Sequence, residues 1–211
     1  MKPADELKQV ADEVSSCTRC PLHFSRKLAV PGEGPAQAKI LFIGEGPGFY
    51  ENEQGRPFVG AAGKFLDELL EGVGMRRNEV FITNVVKCRP PGNRDPEPAE
   101  IEACSDYLER QIRAINPRVI VTLGRHSMGR YLANAKISEL HGKAINVKGK
   151  LIIPMYHPAA ALHQPSLKST VIADFSSLPE LIAKAETGSA PLEAGGVDSE
   201  PKKEAKQLSL F

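Results

Sequence analysis

At 211 residues, 41% apolar and 25% charged, the chain has the proportions of one soluble globular domain with a sizeable core. Its short apolar runs exclude a transmembrane helix, and the charged start, MKPADELKQVADEV, lacks the apolar centre of a signal peptide, so a cytoplasmic location is expected. The net charge of +1 gives no global sign of nucleic-acid binding, yet five acids and three lysines between Glu186 and Lys206 leave the first 185 residues at about +3.

In chain order, ELKQVADEVSSC predicts a first helix, and KILFIG a buried strand that runs into the glycine-rich stretch GEGPGFYE. AAGKFLDELLEGVG predicts a helix with Phe65, Leu66, Leu69, Leu70 and Val73 on one face and Gly72 and Gly74 as its stop. EVFITNVVKC is the next strand. EPAEIEACSDYLERQIRAI is a helix striped by Ile101, Leu108, Ile112 and Ile115. RVIVTLG predicts a third strand with the helix RHSMGRYLAN behind it. GKLIIPMYHP gives a fourth strand and PSLKSTVIADFSSLPELIAKAE a final helix.

Short continuous apolar strands alternating with helices imply a parallel sheet covered on both faces. The expected fold class is α/β, a three-layer α/β/α sandwich with a four-stranded, mostly parallel sheet over residues 1–185. Ligands of such sheets bind at the carboxyl ends of the strands. GEGPG, TNVVKCRP, LGRH and MYHPAAAL all lie there, so the candidate site draws on four separate segments. Residues 186–206, rich in Gly, Pro, Ser and charge, read as a disordered linker. Beyond them, residues 207–211 form a separate apolar tip, QLSLF.

The four cysteines are Cys17 and Cys20, spaced C-x2-C, then Cys88 and Cys104. A disulfide framework does not suit a cytoplasmic chain of this size. Four thiolates hold either zinc or an iron–sulfur cluster, and spacing alone does not separate the two; buried unliganded thiols are the third alternative. Either metal would pin the irregular segments 21–36 and 89–98 to the domain.

Familiar nucleotide and hydrolase motifs fail. Gly44-Glu45-Gly46-Pro47-Gly48 begins like G-x-G-x-x-G, but Phe49 takes the last glycine position and Pro47 removes a donor that a pyrophosphate needs. In GRHSMG, Ser127 comes one residue late for a nucleophile elbow. What remains is a carboxylate in a tight turn (Glu45), an amide at a strand end (Asn84), a histidine after a strand (His157) and an aromatic in a second turn (Phe58). That set suits hydrolysis of a neutral planar ligand. Three of the four also have a structural reading: Glu45 as a turn cap, Phe58 as core, Asn84 as a strand-end cap.

Together these residues resemble the family 4 uracil-DNA glycosylases, the iron–sulfur branch of their superfamily, over about residues 10–180. The motifs stand here as GEGPGFYE followed by GRPFVGAAGKFLDELL, as ITNVVKCRPPGNRDP and as YHPAAAL. The resemblance implies a uracil-DNA glycosylase-like fold and hydrolysis of the N-glycosidic bond of uracil in DNA, the first step of base excision repair. It makes Cys17, Cys20, Cys88 and Cys104 the ligands of a [4Fe–4S] cluster. It casts Glu45 and His157 as catalytic, the first holding the attacking water and the second beside the leaving base. Gly44 and Gly46 would approach the uracil, Phe58 would stack on it, Asn84 would read its edge, and Glu51 would exclude thymine.

The loop after Leu162 continues to His163 where the family has an arginine. His23, His126, His141 and His163 are read as structural or surface residues. Arg125 is read equally as a phosphate contact or as a solvated first-turn arginine. The rival function is a non-catalytic binder of uracil-containing nucleic acid scaffolded by the cluster; a third is a hydrolase of free nucleosides. QLSLF resembles the motif by which bacterial repair enzymes bind the sliding clamp, with Leu208, Leu210 and Phe211 in a hydrophobic groove and Gln207 at its edge. The expected partners are therefore uracil-containing DNA and a bacterial clamp, for a monomer working at the nucleoid.

Overall fold

Four apolar runs form the parallel part of one sheet: β1 (Ile40–Gly44), β2 (Phe81–Asn84), β3 (Val119–Leu123) and β5 (Lys150–Met155), joined by β4 (Ile145–Val147) and β6 (Leu192–Glu193). The computed structural model describes residues 1–186 and the pair 192–193. The strand order is β2-β1-β3-β5-β4-β6, with β4 antiparallel to β5 and every other pairing parallel.

Alternation along each strand sends side chains to two cores. Leu41, Ile43, Ile120 and Ile152 face a core built with Val10 and Val14 of α1 (Pro3–Ser16) and Leu108 and Ile112 of α4 (Pro98–Ile115). Phe42, Val121 and Ile153 face the opposite core, with Leu66 and Leu70 of α3 (Ala61–Gly72), Ala161 of α7 (Pro158–His163) and Phe175 of α8 (Lys168–Glu186). Phe42 and Phe175 stack with ring centroids 6.3 Å apart. Helices on both faces of a mostly parallel sheet make the α/β sandwich that the sequence implies. None of the helices among the described residues is long and apolar enough to cross a membrane.

Among the described residues the sheet has six strands rather than four. β4 escaped the sequence reading because it is three residues long. It reaches β5 through a two-residue turn, Lys148-Gly149, with positive φ at both positions (51° and 80°), the primed geometry that suits a hairpin. β6 lies within the segment read as linker, paired with β4; the rest of that segment and the QLSLF tip fall outside the described residues. β2 is shorter than the predicted strand. It ends at Asn84, although Val85 and Val86 still donate to the Gly44 and Glu45 carbonyls beyond it. The helix after β3, α5 (Arg125–Gly129), also stops early, while two short helices were not foreseen, α2 (Phe49–Gln54) and α6 (Ile137–Leu140).

The loop between α2 and α3 is fixed by a close approach. A Cβ at Gly63 would lie 2.0 Å from the Phe58 carbonyl oxygen, so only glycine lets α3 start against this loop. Gly63→Ala would gain about 1 kcal/mol of helix propensity, yet overpacking against fixed backbone costs about 1–3 kcal/mol. We expect a net loss, read as a melting temperature lowered by roughly 2–6 °C in thermal circular dichroism. An unchanged or raised midpoint would mean that the Phe58 loop yields freely.

Candidate active site

The carboxyl ends of the strands open into a cavity of about 390 Å³ lined by Glu45, Phe58, Asn84, Pro90 and His157 among others. That is the size of a small-ligand pocket. Its floor follows from strand pairing: Gly44 of β1 is in register with Asn84 of β2. A Cβ on Gly44 would sit 2.4 Å from Asn84 Oδ1 and 2.7 Å from the Phe58 ring, so glycine is required there. Gly46 also lines the pocket, but its missing side chain makes room for Val86, 2.8 Å from where a Cβ would be.

Asn84 is buried, and its Oδ1 has no hydrogen-bond partner among the described residues. Its backbone oxygen, by contrast, accepts from Lys87 Nζ at 2.9 Å. A buried amide oxygen left without a donor costs about 1–3 kcal/mol. A ligand that presents an N–H to the pocket would recover that.

Phe58 is 5% exposed and holds φ at +50°, unusual for a bulky residue. Arg77 holds it there, donating to the carbonyls of Pro57 at 2.5 Å and Phe58 at 3.1 Å while pairing with Glu33 and Asp67. The Phe58 ring stacks on His157, with centroids 5.4 Å apart and planes 25° from parallel.

His157 is the N-cap of α7, and its Nδ1 accepts the Ala159 N–H at 3.1 Å. Burial pushes its pKa down to about 4, with the Glu51 carboxylate opposing. The ring is therefore neutral near pH 7. With Nδ1 accepting, the proton sits on Nε2, so this ring offers the pocket a neutral donor.

Residues 31–176 match the family model described as the uracil DNA glycosylase superfamily. The type-4 uracil-DNA glycosylase of Sulfurisphaera tokodaii is 50% identical over 188 residues, covering 84% of this chain and 85% of the relative. That of Thermotoga maritima is 44% identical over 190 residues, 87% of this chain and 99% of the relative. The chain belongs to the type-4 branch of the uracil-DNA glycosylase superfamily. A type-5 enzyme, from Thermus thermophilus, is 38% identical over 120 residues, half of this chain.

Of the residues singled out in the sequence, Glu45, Gly46, Glu51, Phe58, Asn84 and His157 line this one cavity, and Gly44 packs against Asn84 and Phe58. Glu51 has a further task that the sequence did not reveal. One of its carboxylate oxygens accepts from the N–H groups of Val59 (2.8 Å) and Gly60 (2.9 Å), and the other from Gly48 (3.1 Å). It thereby ties the GEGPG turn to the Phe58 turn.

Two histidines set aside as structural or surface residues belong to this region. His163 lines the pocket. His126, in the first turn of α5, places Nε2 3.7 Å from the Glu45 carboxylate and 3.4 Å from Asp95. Arg125, read as a phosphate contact or a solvated residue, pairs with Asp95. The signal was in LGRH, since two basic side chains at a strand end face the carboxylate at the end of the neighbouring strand. The carboxylates of Glu45 and Asp95 and the His126 ring converge closely enough to hold a cation, but Arg125 already supplies positive charge there. His23 and His141 keep structural roles: His23 Nδ1 meets the Cys20 carbonyl at 2.8 Å, and His141 Nδ1 meets Asp174 at 2.8 Å.

The four cysteines surround a second, smaller cavity with Tyr107 and Arg26. Cys17 caps α1, Cys20 follows it, Cys88 ends the segment after β2 and Cys104 lies in α4. None is in a disulfide. No three of their sulfurs lie within 4.8 Å of one another. Arg26 donates to Cys88 Sγ at 3.3 Å and to the Cys17 carbonyl at 2.7 Å, which brings positive charge to the thiols.

Burial pushes the Glu45 carboxyl above the usual range; His126 and Arg125 pull it back down, and Asp95 adds to the rise. If the ionised form of Glu45 is the active one, the rate falls as pH drops through this raised pKa. His126→Ala removes the ring that pulls the Glu45 carboxyl down and should move the acid limb of kcat to higher pH. Asp95→Asn removes an anion and should move it to lower pH. Single-turnover pH profiles of the two variants check this, and shifts of the same sign in both would remove Glu45 from control of that limb.

Proposed function

We propose that this uracil-DNA glycosylase hydrolyses the N-glycosidic bond of uracil in DNA, with the pocket residues in the roles given below. The observation that carries this reading is the unpartnered, buried Asn84 Oδ1, set in the same pocket as a carboxylate and a neutral histidine. Uracil presents N3–H, which satisfies that oxygen; cytosine presents a bare N3 there and leaves it unmade. In a duplex the bond is out of reach, so the nucleotide is extruded into the pocket. The base would enter between the Phe58 ring and the glycine-lined turn.

Cleavage builds positive charge on the sugar and negative charge on the departing uracil. Glu45, on the sugar side, would hold the attacking water and favour the cation. His157 Nε2–H would donate to the uracil carbonyl as charge grows on it. A preorganised donor of this kind is typically worth about 3–4 kcal/mol. Glu51 would stand near the 5-position of the ring and exclude a methyl group, while also holding the two turns in place. The exposed Leu162, near the end of α7, would probe the groove beside the flipped nucleotide.

For the cysteines we infer a [4Fe–4S] cluster held by Cys17, Cys20, Cys88 and Cys104. The resemblance to the iron–sulfur branch favours the cluster over a single zinc, which four thiolates could equally hold. Hydrolysis transfers no electrons, so the group's contribution is to cross-link α1, the segment after β2 and α4. Residues 1–185 form the catalytic domain in this reading, residues 186–206 a linker and residues 207–211 a clamp-binding tip, for a monomer in the cytoplasm at the nucleoid. A tethered tip raises the effective concentration of the enzyme near replicating DNA.

The test is uracil release from a single-uracil oligonucleotide by purified, brown, iron-containing protein. Glu45→Ala should lower the single-turnover rate by about a hundredfold or more, with uracil-DNA affinity largely kept, because water positioning acts in the transition state. Asn84→Ala should weaken binding with the circular dichroism spectrum unchanged. Full activity in Glu45→Ala, or a colourless zinc-loaded active protein, would contradict the corresponding assignment. Deleting residues 207–211 should abolish sliding-clamp binding in calorimetry and leave release from short oligonucleotides unaltered; clamp binding that survives the deletion would rule out the tip.

A further inference from the structure

We propose that Phe49 and Tyr50 form a stacking platform for an unpaired base of the uracil-bearing strand, next to the flipped nucleotide. Arg89 meets a phosphate beside it; this rests on the glycosylase reading of the pocket. The two aromatics open α2, between Gly48 and Glu51, which both line the pocket. Phe49 is 51% exposed and Tyr50 59%, although large aromatics usually bury most of their surface. Their rings meet edge to face, with centroids 5.5 Å apart and planes at 84°. Single exposed apolar residues are ordinary. Among the described residues no other two large exposed apolar side chains are adjacent in sequence.

The helix that carries them is held from its inner side. Glu51 accepts three backbone N–H groups of the two turns, and the buried Asn52 accepts the Lys27 N–H at 2.8 Å. Tyr50 rests on Gly60, its Cδ2 3.3 Å from where a Cβ there would be. The rings are thus preorganised, and little order remains to be imposed on binding. Arg89 lies across the Phe49 ring, with Cζ 5.3 Å from the centroid, and its Nε donates to Asn93 Oδ1 at 2.7 Å. Asn93 lines the pocket as well. Other arginines around the site are matched by acids: Arg94 by Glu100 and Glu97, Arg125 by Asp95, Arg77 by Glu33 and Asp67. Arg89 makes no ion pair among the described residues, which leaves its charge for an anion from outside. Aromatic faces beside an unmatched guanidinium, at the rim of the pocket, suit a polymer that alternates bases with phosphates.

Variants of the full-length protein test this on single-stranded oligonucleotides with one uracil. Phe49→Ala and Tyr50→Ala should each raise KM about tenfold, the size of one lost base–aromatic stack, with kcat within about threefold. The inhibition constant of free uracil should not move, since free uracil brings no neighbouring base. A stable abasic analogue placed 5′ or 3′ of the uracil identifies the stacked base. At one of the two positions the wild type should lose about tenfold in KM, and the two variants should lose little further. Arg89→Gln should raise KM and lessen its logarithmic salt slope by about 0.7, as for one phosphate contact on a single strand.

Unchanged KM in folded Phe49→Ala and Tyr50→Ala overturns the proposal and leaves the aromatic pair to a protein partner. An equal loss in these variants with and without the neighbouring base also overturns it, because the rings would then touch something other than that base. So does a raised inhibition constant for free uracil, which would place their action inside the pocket. An unchanged salt slope in Arg89→Gln removes the phosphate contact. Should the aromatic variants not fold, the abasic series on the wild type decides: no loss at either position removes the platform. A wild type that releases no uracil from DNA removes the glycosylase reading, and this platform with it. A wild type that does, with the variants behaving like it, removes the platform alone.

Discussion

The parallel pairing of β1 with β2 sets Gly44 beside Asn84, and the ladder runs on past the strand ends. The Val85 N–H donates to the Gly44 carbonyl and the Val86 N–H to the Glu45 carbonyl, each at 3.0 Å. Those two bonds fix the carboxylate of the first turn against the amide of the second strand, before any loop is considered. A one-residue slip would place Ile43 opposite Asn84 and turn each strand's inward side chains to the other face. The pocket is thus a property of sheet register, and register is secured by the apolar cores on both faces.

The loops that complete the site have no ladder and are held by polar struts. Glu51 collects backbone N–H groups from both turns, and Arg77 binds two carbonyls and two carboxylates around Phe58. Left-handed backbone at a bulky residue costs on the order of 1–3 kcal/mol and persists where its surroundings over-determine it. Here the determinants are Arg77 on the carbonyls and Gly63 beneath them. The outcome is an aromatic floor that faces His157 squarely enough to stack. Charged groups with several backbone partners replace secondary structure in this part of the molecule.

How much of this was legible in the sequence depended on the range of the interaction. The four parallel strands were readable because each is a continuous apolar run, and the glycine-rich turn because Gly44 and Gly46 serve close approach. The cysteines were readable as a set, though spacing alone left zinc and iron–sulfur open. β4 was missed because three residues carry no period, although Lys148-Gly149 between Val147 and Leu151 was a hairpin signal. Arg77 and Glu51 were opaque as struts: their partners are backbone groups distant in sequence, and no pattern marks a backbone acceptor. His126 was misjudged for a related reason. Its partner Glu45 lies on a neighbouring strand, and only strand order brings LGRH to the carboxylate.

Burial acts on the two principal groups in opposite senses and leaves each nearer neutrality. It raises the Glu45 carboxyl and lowers the His157 imidazole. For His157 the Glu51 carboxylate opposes the effect without undoing it: the pKa still falls to about 4, the Ala159 N–H occupies Nδ1, and the neutral ring presents a donor without bringing a positive charge into the pocket. A full imidazolium would bind an anion more strongly, but its proton would have to be held in an apolar pocket before any anion existed to stabilise it. For Glu45 the fold does reverse the effect in part, because His126 and Arg125 stand near it. Asp95 pairs with Arg125 and lies 3.4 Å from His126 Nε2, and so limits how far they favour the carboxylate. The Glu45 charge is thus only partly matched by its neighbours, which in the proposed reading leaves attraction to spare for positive charge developing on a sugar. A carboxylate locked into a bidentate arginine pair would be more acidic and of less use, since its charge would already be matched in the ground state.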